Sequence, residues 1–335
     1  MYSLAVEIAK DPLFDVMFWV DGDVPRHRVK HIKLISQRSH IQRGVPLISR
    51  LINHTRSEKI ARLSRGGVVI FTVYANREFI AYSDVIRRCG GKVMYRIASD
   101  IDLKPEERHG TTEDPFIAAL LKADSVIAQT PYQQREAMAR YGLNTTLIPT
   151  AYYGRASESL EKESILWVGQ SAVYRRPWVV LELARAFPEE RFVMVMPPVD
   201  TMLASVITKS AKQIPNLTIL DYVPVDEMQF MFDRAKLVLN TAMFEGFPNT
   251  FLQTAQARSP YISLKWNPDN FLEQNSIGFG CDDSIETMKK RLKELLEDQD
   301  LRAEIGDNAF HYLEKEHCAE TSIERYKSLI LNLCN

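Results

Sequence analysis

Residues 236–262 read KLVLNTAMFEGFPNTFLQTAQARSPYI, and this stretch decides the fold prediction. Its first eight residues are a short, mainly apolar run, which indicates a buried strand. The tight turn Gly246-Phe247-Pro248-Asn249 follows, and we predict that a helix begins near Thr250 with Asn249 as its N-cap. Residues 259–264 then indicate a further strand. A buried strand, a helix and another strand form the repeating unit of a parallel α/β sheet.

The same alternation of strand and helix runs along the whole chain in two blocks. A polar stretch, YYGRASESLEKES (152–164), separates them and indicates a linker. The sequence therefore predicts an α/β fold of two doubly wound Rossmann-like domains facing a cleft. The domains are expected at 1–153 and 154–318, with a last helix at about 319–335 packing back on the first domain.

Composition excludes several classes of protein. The 335 residues are 45% apolar and 25% charged, as in globular proteins, and no run of eighteen apolar residues indicates a membrane span. The start, MYSLAVEIAKDPLFDV, indicates an amphipathic helix and a strand rather than a signal peptide. The cysteines at 89, 281, 318 and 334 lack metal or disulfide spacing, which favours reduced thiols and a cytoplasmic location.

Residues 26–65 are strongly basic, with eleven Lys and Arg residues against one acid, Glu58. Such a segment indicates an anionic partner, which could be a phosphate-bearing acceptor, a lipid surface or nucleic acid, or else a solvated face that is balanced elsewhere in the fold. The helix predicted at 46–63 has an apolar stripe flanked by arginines. This stripe could lie on an anionic membrane at the inner face or pack on its own sheet.

Three strand ends in the second half could bind a ligand. After the first, Gly169 allows a close backbone approach, and Arg175 and Arg176 precede a helix, which suits a diphosphate. After the second, Val223 and Pro224 could wall a flat base, although a plain turn would look the same. The two arginines could equally be surface residues.

The third strand end is the opening stretch. Glu245 stands at the strand tip and could accept hydrogen bonds from hydroxyls, while the helix that follows leaves backbone N–H groups for an anion. Gln253 lies about one turn into that helix. Alternatively, Glu245 could be a carboxylate that complements the helix dipole, and Gln253 could be an ordinary helical surface residue.

In the first half, RIASDID (96–102) ends a strand. Asp100 or Asp102 could orient or deprotonate an acceptor hydroxyl, but a pair of loop-capping carboxylates is the favoured interpretation. The Asp-x-Asp pattern is also a metal-binding motif of one transferase class, but it occurs often by chance.

These motifs together resemble the GT-B glycosyltransferases, in particular retaining glycosyltransferase family 4 (glycosyl transferases group 1). That family has a glutamate, a glycine-phenylalanine-proline turn and a second glutamate eight residues after the first. Upstream it has a glycine-arginine pair followed by a basic residue. The resemblance covers nearly the whole chain, including ADSVIAQTPYQQREAMARYG and the closing helices DLRAEIGDNAFHYLEKEH and SIERYKSL.

The resemblance implies a role for each matching residue. Glu245 would contact the hydroxyls of the transferred sugar, Arg175 would hold the diphosphate, and Gln253 would stand where a glutamate holds the ribose. The remaining donor-binding residues would be Gly169, Gln170, Arg176, Val223, Pro224, Gly246, Phe247, Pro248, Asn249 and Thr250.

The sequence departs from the family in three places. Gln253 replaces the second glutamate and weakens a ribose hydrogen bond by about 1 kcal/mol. Gln170 replaces the arginine after Gly169, which leaves more of the diphosphate charge to Arg175 and Arg176. The family's first strand and glycine-rich loop have no counterpart before the first predicted helix.

The resemblance implies transfer of a hexose from a nucleotide-sugar to a saccharide or a lipid- or phosphate-linked acceptor, with retention of configuration. It implies no metal and no cofactor beyond the sugar donor, and nucleic acid is a disfavoured acceptor. The departures keep a second possibility open, which is a non-catalytic GT-B protein acting as a binding or partner subunit. A nucleotide-sugar epimerase shares the architecture, but the sequence shows no acid/base constellation for it.

Overall fold

The computed structural model describes residues 2–21, 32–37, 58–60, 62–72, 77–109, 114–154, 157 and 160–334. The chain divides into two compact units. The N-terminal unit comprises Met1–Tyr153 together with Ala319–Asn335, and the C-terminal unit comprises Gly154–Cys318.

The N-terminal unit contains parallel strands and the helices that connect them. Its strands are β1 (Val16–Asp21), β2 (Ile32–Gln37), β3 (Val68–Phe71), β4 (Lys92–Arg96), β5 (Ser125–Ala128) and β6 (Thr146–Leu147). Its helices in the first part of the chain are α1 (Tyr2–Ile8), α2 (Arg77–Arg88), α3 (Pro105–His109), α4 (Pro115–Leu120) and α5 (Pro131–Tyr141). Strands β1 and β2 pair with each other, whereas β3 to β6 form a four-stranded parallel sheet in chain order.

Local chemistry explains the bounds of α5. The Thr130 hydroxyl accepts a hydrogen bond from the backbone N–H of Gln133 at 3.1 Å, and Pro131 occupies the first turn, where its missing N–H costs nothing. Gly142 ends the helix at φ +62°, in the left-handed region that glycine adopts without strain. Of the helix predicted at 46–63, residues 58–60 and 62–63 are helical, and residues 46–57 lie outside the described residues.

The C-terminal unit contains a six-stranded parallel sheet. Its strands are β7 (Ser164–Val168), β8 (Phe192–Val195), β9 (Leu217–Leu220), β10 (Ala235–Asn240), β11 (Tyr261–Ser263) and β12 (Gly278–Gly280). Its helices are α6 (Trp178–Ala186), α7 (Thr201–Ala211), α8 (Val225–Asp233), α9 (Asn249–Gln256), α10 (Phe271–Gln274), α11 (Ile285–Glu297) and α12 (Gln299–Glu316). Helices α11 and α12 are separated at Asp298, whose carboxylate caps α12 by accepting from the N–H of Leu301 at 2.8 Å.

The strand order in this unit is β12-β11-β10-β7-β8-β9. From β7 the chain adds two strands on one side, crosses over, and adds three on the other. The sheet is therefore doubly wound, and its order reverses between β7 and β10. The α/β prediction is confirmed.

The last helix, α13 (Ala319–Cys334), belongs to the N-terminal unit. Its Tyr326 is buried with Leu4 and Ile8 of α1 and with Met94 of β4. Lys327 forms an ion pair with Asp11 at 3.0 Å. None of the helices described is long and apolar enough to cross a membrane.

Candidate functional site

The candidate site lies where the strand order of the C-terminal unit reverses. Strands β7 and β10 are hydrogen-bonded neighbours, so the loops after Val168 and Asn240 emerge side by side at the carboxyl edge of the sheet. In open α/β sheets ligands bind at this topological switch point. The predicted residues Gly169, Arg175 and Glu245 all stand on these two loops.

Hydrogen bonds join the two loops tightly. The N–H of Met243 donates to the carbonyl of Tyr174 at 2.8 Å. The Thr241 hydroxyl accepts from the indole N–H of Trp167 at 2.9 Å and donates to the carbonyl of Arg175. The Tyr174 and Phe244 rings stack at 5.1 Å with 9° between their planes. The site is thus held in place before any ligand arrives.

Arg175 and Glu245 form a buried ion pair at the centre of this arrangement, with Nη1 of the arginine against Oε1 of the glutamate. Glu245 is only 8% exposed, and burial raises the pKa of its carboxyl group while Arg175 opposes that rise. The guanidinium also lies over the Tyr174 ring, with 5.0 Å from Cζ to the centroid. An arginine stays protonated in proteins, so Arg175 favours the ionised form of the Glu245 carboxyl group.

One polar atom of this pair lacks an acceptor. Nε of Arg175 is buried and makes no hydrogen bond to any residue that the structure describes. A buried donor without an acceptor costs about 1–3 kcal/mol. An oxygen of an anionic ligand would remove that cost.

The Arg176 side chain makes contacts within the protein that its predicted diphosphate role did not include. Its Nε donates to the Thr241 carbonyl at 2.6 Å, and its Nη1 pairs with Asp283. Its backbone has φ +51°, in the left-handed region. The guanidinium therefore braces the neighbouring loop, and its proposed contact with a diphosphate stays a prediction.

The loop after β7 requires glycine at 169 for a packing reason. A Cβ on Gly169 would lie 2.8 Å from the Trp167 ring. The next residue, Gln170, is exposed. Close packing against the indole accounts for the glycine without a ligand, so a ligand role for Gly169 and Gln170 stays a prediction.

The turn 246–248 is buried and anchors the start of α9. The Phe247 ring packs against Trp266, Phe271 and His317, with centroids 5.7, 5.8 and 4.6 Å away. This side chain belongs to the core, and only backbone groups of the turn could reach a ligand.

The expected helix cap at Asn249 is wrong. Pro248 is the N-cap, no side chain caps the helix, and Asn249 is its first residue and is exposed. Proline fits there because its φ of −67° suits the chain entering the turn. The first N–H groups of a helix have no acceptor within it, so they remain available to an anion.

Further along α9, the two other predicted side chains differ in their contacts. The Thr250 hydroxyl lies 3.1 Å from the Tyr261 hydroxyl. Gln253 is half-buried, and its backbone carbonyl accepts a hydrogen bond from the Gln229 side chain at 3.1 Å. Gln229 thereby ties α8 to α9, a contact that nothing in the sequence pattern indicated.

Val223 and Pro224 line a cavity of about 490 Å³ that follows β9. Its other lining residues are Leu220, Tyr222, Asp226, Glu227, Phe230 and Met231. Its volume is in the range of small-molecule sites. A cavity with aromatic and apolar walls suits the flat base predicted there.

In the N-terminal unit, Asp102 is a loop-capping residue. Its Oδ2 accepts from the N–H groups of Ala98 at 2.9 Å and Ser99 at 3.2 Å and from the Tyr95 hydroxyl at 3.1 Å. Asp100 is partly exposed, and its Oδ1 accepts from the Gln133 amide at 2.8 Å. Asp100 is therefore the carboxylate that could meet an acceptor. Within the described ranges, no group of three or more His, Cys, Asp and Glu side chains could hold a metal ion.

Sequence reasoning missed Tyr174, Phe244 and Thr241. An aromatic residue directly precedes each member of the ion pair in the sequence. This pattern indicates a ring contact only once the two loops are known to be neighbours.

The chain shows little sequence similarity to known protein families and curated proteins. No protein-family model matches the chain. Glycosyltransferase 1 domain-containing protein 1 of Xenopus tropicalis is 21% identical over 149 residues, which are 44% of this chain and 42% of that protein. The chain thus matches less than half the length of this curated relative.

Solved structures match over more of the chain. Sucrose-phosphate synthase of Thermosynechococcus elongatus has a TM-score of 0.77 at 12% identity, covering 99% of this chain and 92% of its own. WaaG, a glycosyltransferase involved in lipopolysaccharide biosynthesis, has a TM-score of 0.68 at 14% identity, with 98% and 94% covered. TarM of S. aureus, in complex with fondaparinux, alpha-GlcNAc-glycerol and UDP, has a TM-score of 0.69 at 16% identity, with 85% and 59% covered. At these identities the likeness shows a shared fold.

Proposed function

We propose that this chain, which has the GT-B fold of glycosyltransferases, transfers a sugar from a nucleotide-sugar to an acceptor hydroxyl. The observation that supports this most is the Arg175–Glu245 pair, placed at the switch point of the six-stranded sheet. It puts a cation and a carboxylate beside a helix N-terminus, which is the set of groups that a sugar diphosphate needs.

The donor would lie along the carboxyl edge of this sheet. The base would enter the cavity at Val223 and Pro224, and Gln253 would accept a ribose hydroxyl. Nε of Arg175 and the first N–H groups of α9 would hold the diphosphate. Glu245 would then accept from the hydroxyls of the sugar.

Catalysis would depend on stabilising the leaving diphosphate. Negative charge would build up on it as the glycosidic bond breaks, and we propose that Arg175 and the α9 N-terminus stabilise that charge. Removing one such fixed donor typically lowers turnover by about 10²–10³-fold. We propose retention of configuration by front-face substitution, in which the leaving phosphate takes the acceptor proton and Asp100 orients the acceptor.

The acceptor would be a saccharide or a lipid- or phosphate-linked glycan, and the reaction would need no metal. The basic segment 26–65, which we propose as an anion- or membrane-facing surface, lies mostly outside the described residues. TarM in its solved complex holds UDP, and a pneumococcal O-GlcNAc transferase, GtfA, was solved with UDP and GlcNAc. UDP and its sugars are therefore the first ligands to test.

The first test is thermal stabilisation of the full chain by UDP, GDP, ADP, dTDP and their sugars. A ligand at a hundred times its Kd adds about 2.7 kcal/mol to the free energy of unfolding. We expect one nucleotide to raise Tm and to lose that effect in Arg175→Ala, with each variant compared with its own ligand-free Tm. Arg185→Ala, which alters an exposed arginine of the same unit, is the control and keeps the response.

Turnover is measured next with the donor that binds. We expect activity that persists in EDTA and a product whose anomeric configuration by NMR matches the donor. No stabilisation by any nucleotide would contradict the proposal and favour the non-catalytic binding protein. An inverted product, or activity lost in EDTA, would contradict the mechanism alone.

A further inference from the structure

Arg96 is a part-buried cation at the carboxyl edge of the four-stranded sheet. It is the last residue of β4, and its Nη2 donates to Oε1 of Gln129 and Oγ1 of Thr150, both at 2.6 Å. Gln129 directly follows β5, and Thr150 follows β6, so three neighbouring strand ends converge on one guanidinium. Both acceptors are neutral, and no carboxylate of the described chain forms an ion pair with Arg96.

Two tyrosine hydroxyls lie close to this guanidinium. Tyr153 and Tyr326 are both near enough to interact electrostatically with Arg96. Both hydroxyls are buried; that of Tyr326 is close enough to accept a hydrogen bond from the guanidinium, and that of Tyr153 makes none to the residues that the structure describes. Burial lowers the pKa of Arg96, and the two tyrosines oppose that effect. The local structure therefore gathers one cation and two tyrosine hydroxyls, and no carboxylate of the described residues is paired with the cation.

This arrangement is unfavourable for the protein when no anion is bound. A charge taken out of water without a counter-ion is destabilising, and so is a buried hydroxyl without a partner. Nη2 of Arg96 donates to Gln129 and Thr150. A guanidinium carries further N–H donors on Nε and Nη1, and an oxyanion can accept a charge-assisted hydrogen bond from either of them.

We propose that Arg96, Tyr153 and Tyr326 form a binding site for an oxyanion carried by the acceptor, as a sugar phosphate or a uronic acid. The site stands at the sheet edge where ligands of α/β folds bind. Its assignment to the acceptor rests on the proposed function; the binding of an anion does not.

Two nearby carboxylates limit which anion fits. Glu7 and Glu320 act on Tyr153, and with burial and Tyr326 they raise the pKa of its hydroxyl. Glu7 is paired with Lys10 at 2.6 Å, which offsets part of its charge. Their remaining field opposes a second negative charge. A singly charged carboxylate or phosphodiester is therefore expected to bind more tightly than a doubly charged phosphate monoester.

The experiment titrates the full chain with sodium phosphate, glucose 1-phosphate, glucuronate and glucose at constant ionic strength, using thermal shift and calorimetry. We expect saturable binding of the anions, no response to glucose, and loss of the response in Arg96→Gln. Arg140→Gln removes an arginine of the same unit that pairs with Glu106 and Glu136, and it keeps the response. No saturable response in the natural chain, or an equal one in Arg96→Gln, overturns the proposal.

Tyr153→Phe tests the site even where Arg96→Gln fails to fold. Its hydroxyl has no hydrogen-bond partner among the described residues of the free protein, so its removal leaves the ligand-free Tm unchanged or higher and weakens anion binding about 3- to 10-fold. A lower Tm with unchanged anion affinity would show a purely structural role and overturn the proposal.

The two sugar arms distinguish an acceptor from free phosphate. Binding of glucose 1-phosphate or glucuronate at least tenfold tighter than inorganic phosphate supports an anion carried by a sugar, and equal affinities overturn the acceptor assignment. Nucleotide binding is measured on the same samples. If phosphate binds through Arg96 while no nucleotide binds, the proposed function fails and the anion site stands.

Discussion

Replacing Arg175 by alanine tests whether the buried ion pair exists in solution. Glu245 is 8% exposed and Arg175 is its charged partner, so Arg175→Ala leaves a buried carboxylate without a counter-ion. Breaking such a pair costs about 3–5 kcal/mol. The Arg175 side chain is 21% exposed, which lets water reach the vacated position and places the expected loss near 3 kcal/mol. For a unit of this size that loss lowers Tm by about 6–12 °C.

The sign of the pH dependence follows from Glu245. Burial raises its pKa above the unfolded value, and removal of Arg175 takes away the opposing effect. A carboxyl group with a raised folded pKa stabilises the protein while it is protonated, and that stabilisation is lost as pH rises through the folded pKa. The penalty of Arg175→Ala is therefore smaller at low pH, where Glu245 is protonated, and grows as pH rises through the folded pKa.

A double variant separates the charge from the packing. Glu245→Gln combined with Arg175→Ala removes the uncompensated charge, so it recovers most of the lost stability without restoring turnover. The assay is urea denaturation followed by circular dichroism at pH 5, 6.5 and 8. The reasoning is refuted if Arg175→Ala is as stable as the natural chain at pH 8, or if the double variant is no more stable than the single one.

Three further outcomes are expected. Gly169→Ala places a methyl group 2.8 Å from the Trp167 ring and should lower the free energy of unfolding by about 1–3 kcal/mol in urea melts, so an unchanged midpoint would show that the indole moves aside. Gln253→Glu restores charge to a proposed ribose contact and should tighten nucleotide binding about 3- to 10-fold by calorimetry; weaker binding would place the ribose elsewhere. Burial lowers the pKa of Lys162 to about 8, with Asp233 opposing, so the unfolded chain binds more protons between pH 8 and 10.5 and stability rises across that window. Lys162→Met should lack this rise, and identical pH profiles would contradict the assignment.

The sequence was informative where a residue's role is set by its neighbours along the chain. Alternating apolar runs and turns predicted the order of strands and helices. The glycine-phenylalanine-proline turn located a buried strand end next to a helix. β12 was not predicted, because three residues, Gly278–Gly280, are too few to show a period.

Contacts across the fold could not be predicted in the same way. The sequence suggested similar diphosphate roles for Arg175 and Arg176, yet one guanidinium meets a carboxylate of the site and the other braces a loop. The left-handed backbone conformation at Arg176 turns its side chain away from that of Arg175. Among residue types, glycine is the one that adopts this conformation readily, so little in the sequence indicated it here. The pairing of Arg175 with Glu245, seventy residues apart, depends on β7 and β10 being neighbours.

The contacts of the free protein restrict how a donor could engage the site. Thr241, Arg176 and the Tyr174 carbonyl are already bonded within the two loops, and the N–H of Phe251 donates to the Pro248 carbonyl at 3.0 Å. Among the described residues, Nε of Arg175 has no acceptor, and the helix supplies none for the N–H groups of Asn249 and Thr250. A diphosphate bound to Nε of Arg175 would share the guanidinium with Glu245, which is paired to Nη1. That sharing leaves the carboxylate with less compensation, and a buried carboxylate then needs hydroxyl donors. The hydroxyls of the attached sugar can supply them, so recognition of the phosphates and of the sugar would be coupled through one ion pair.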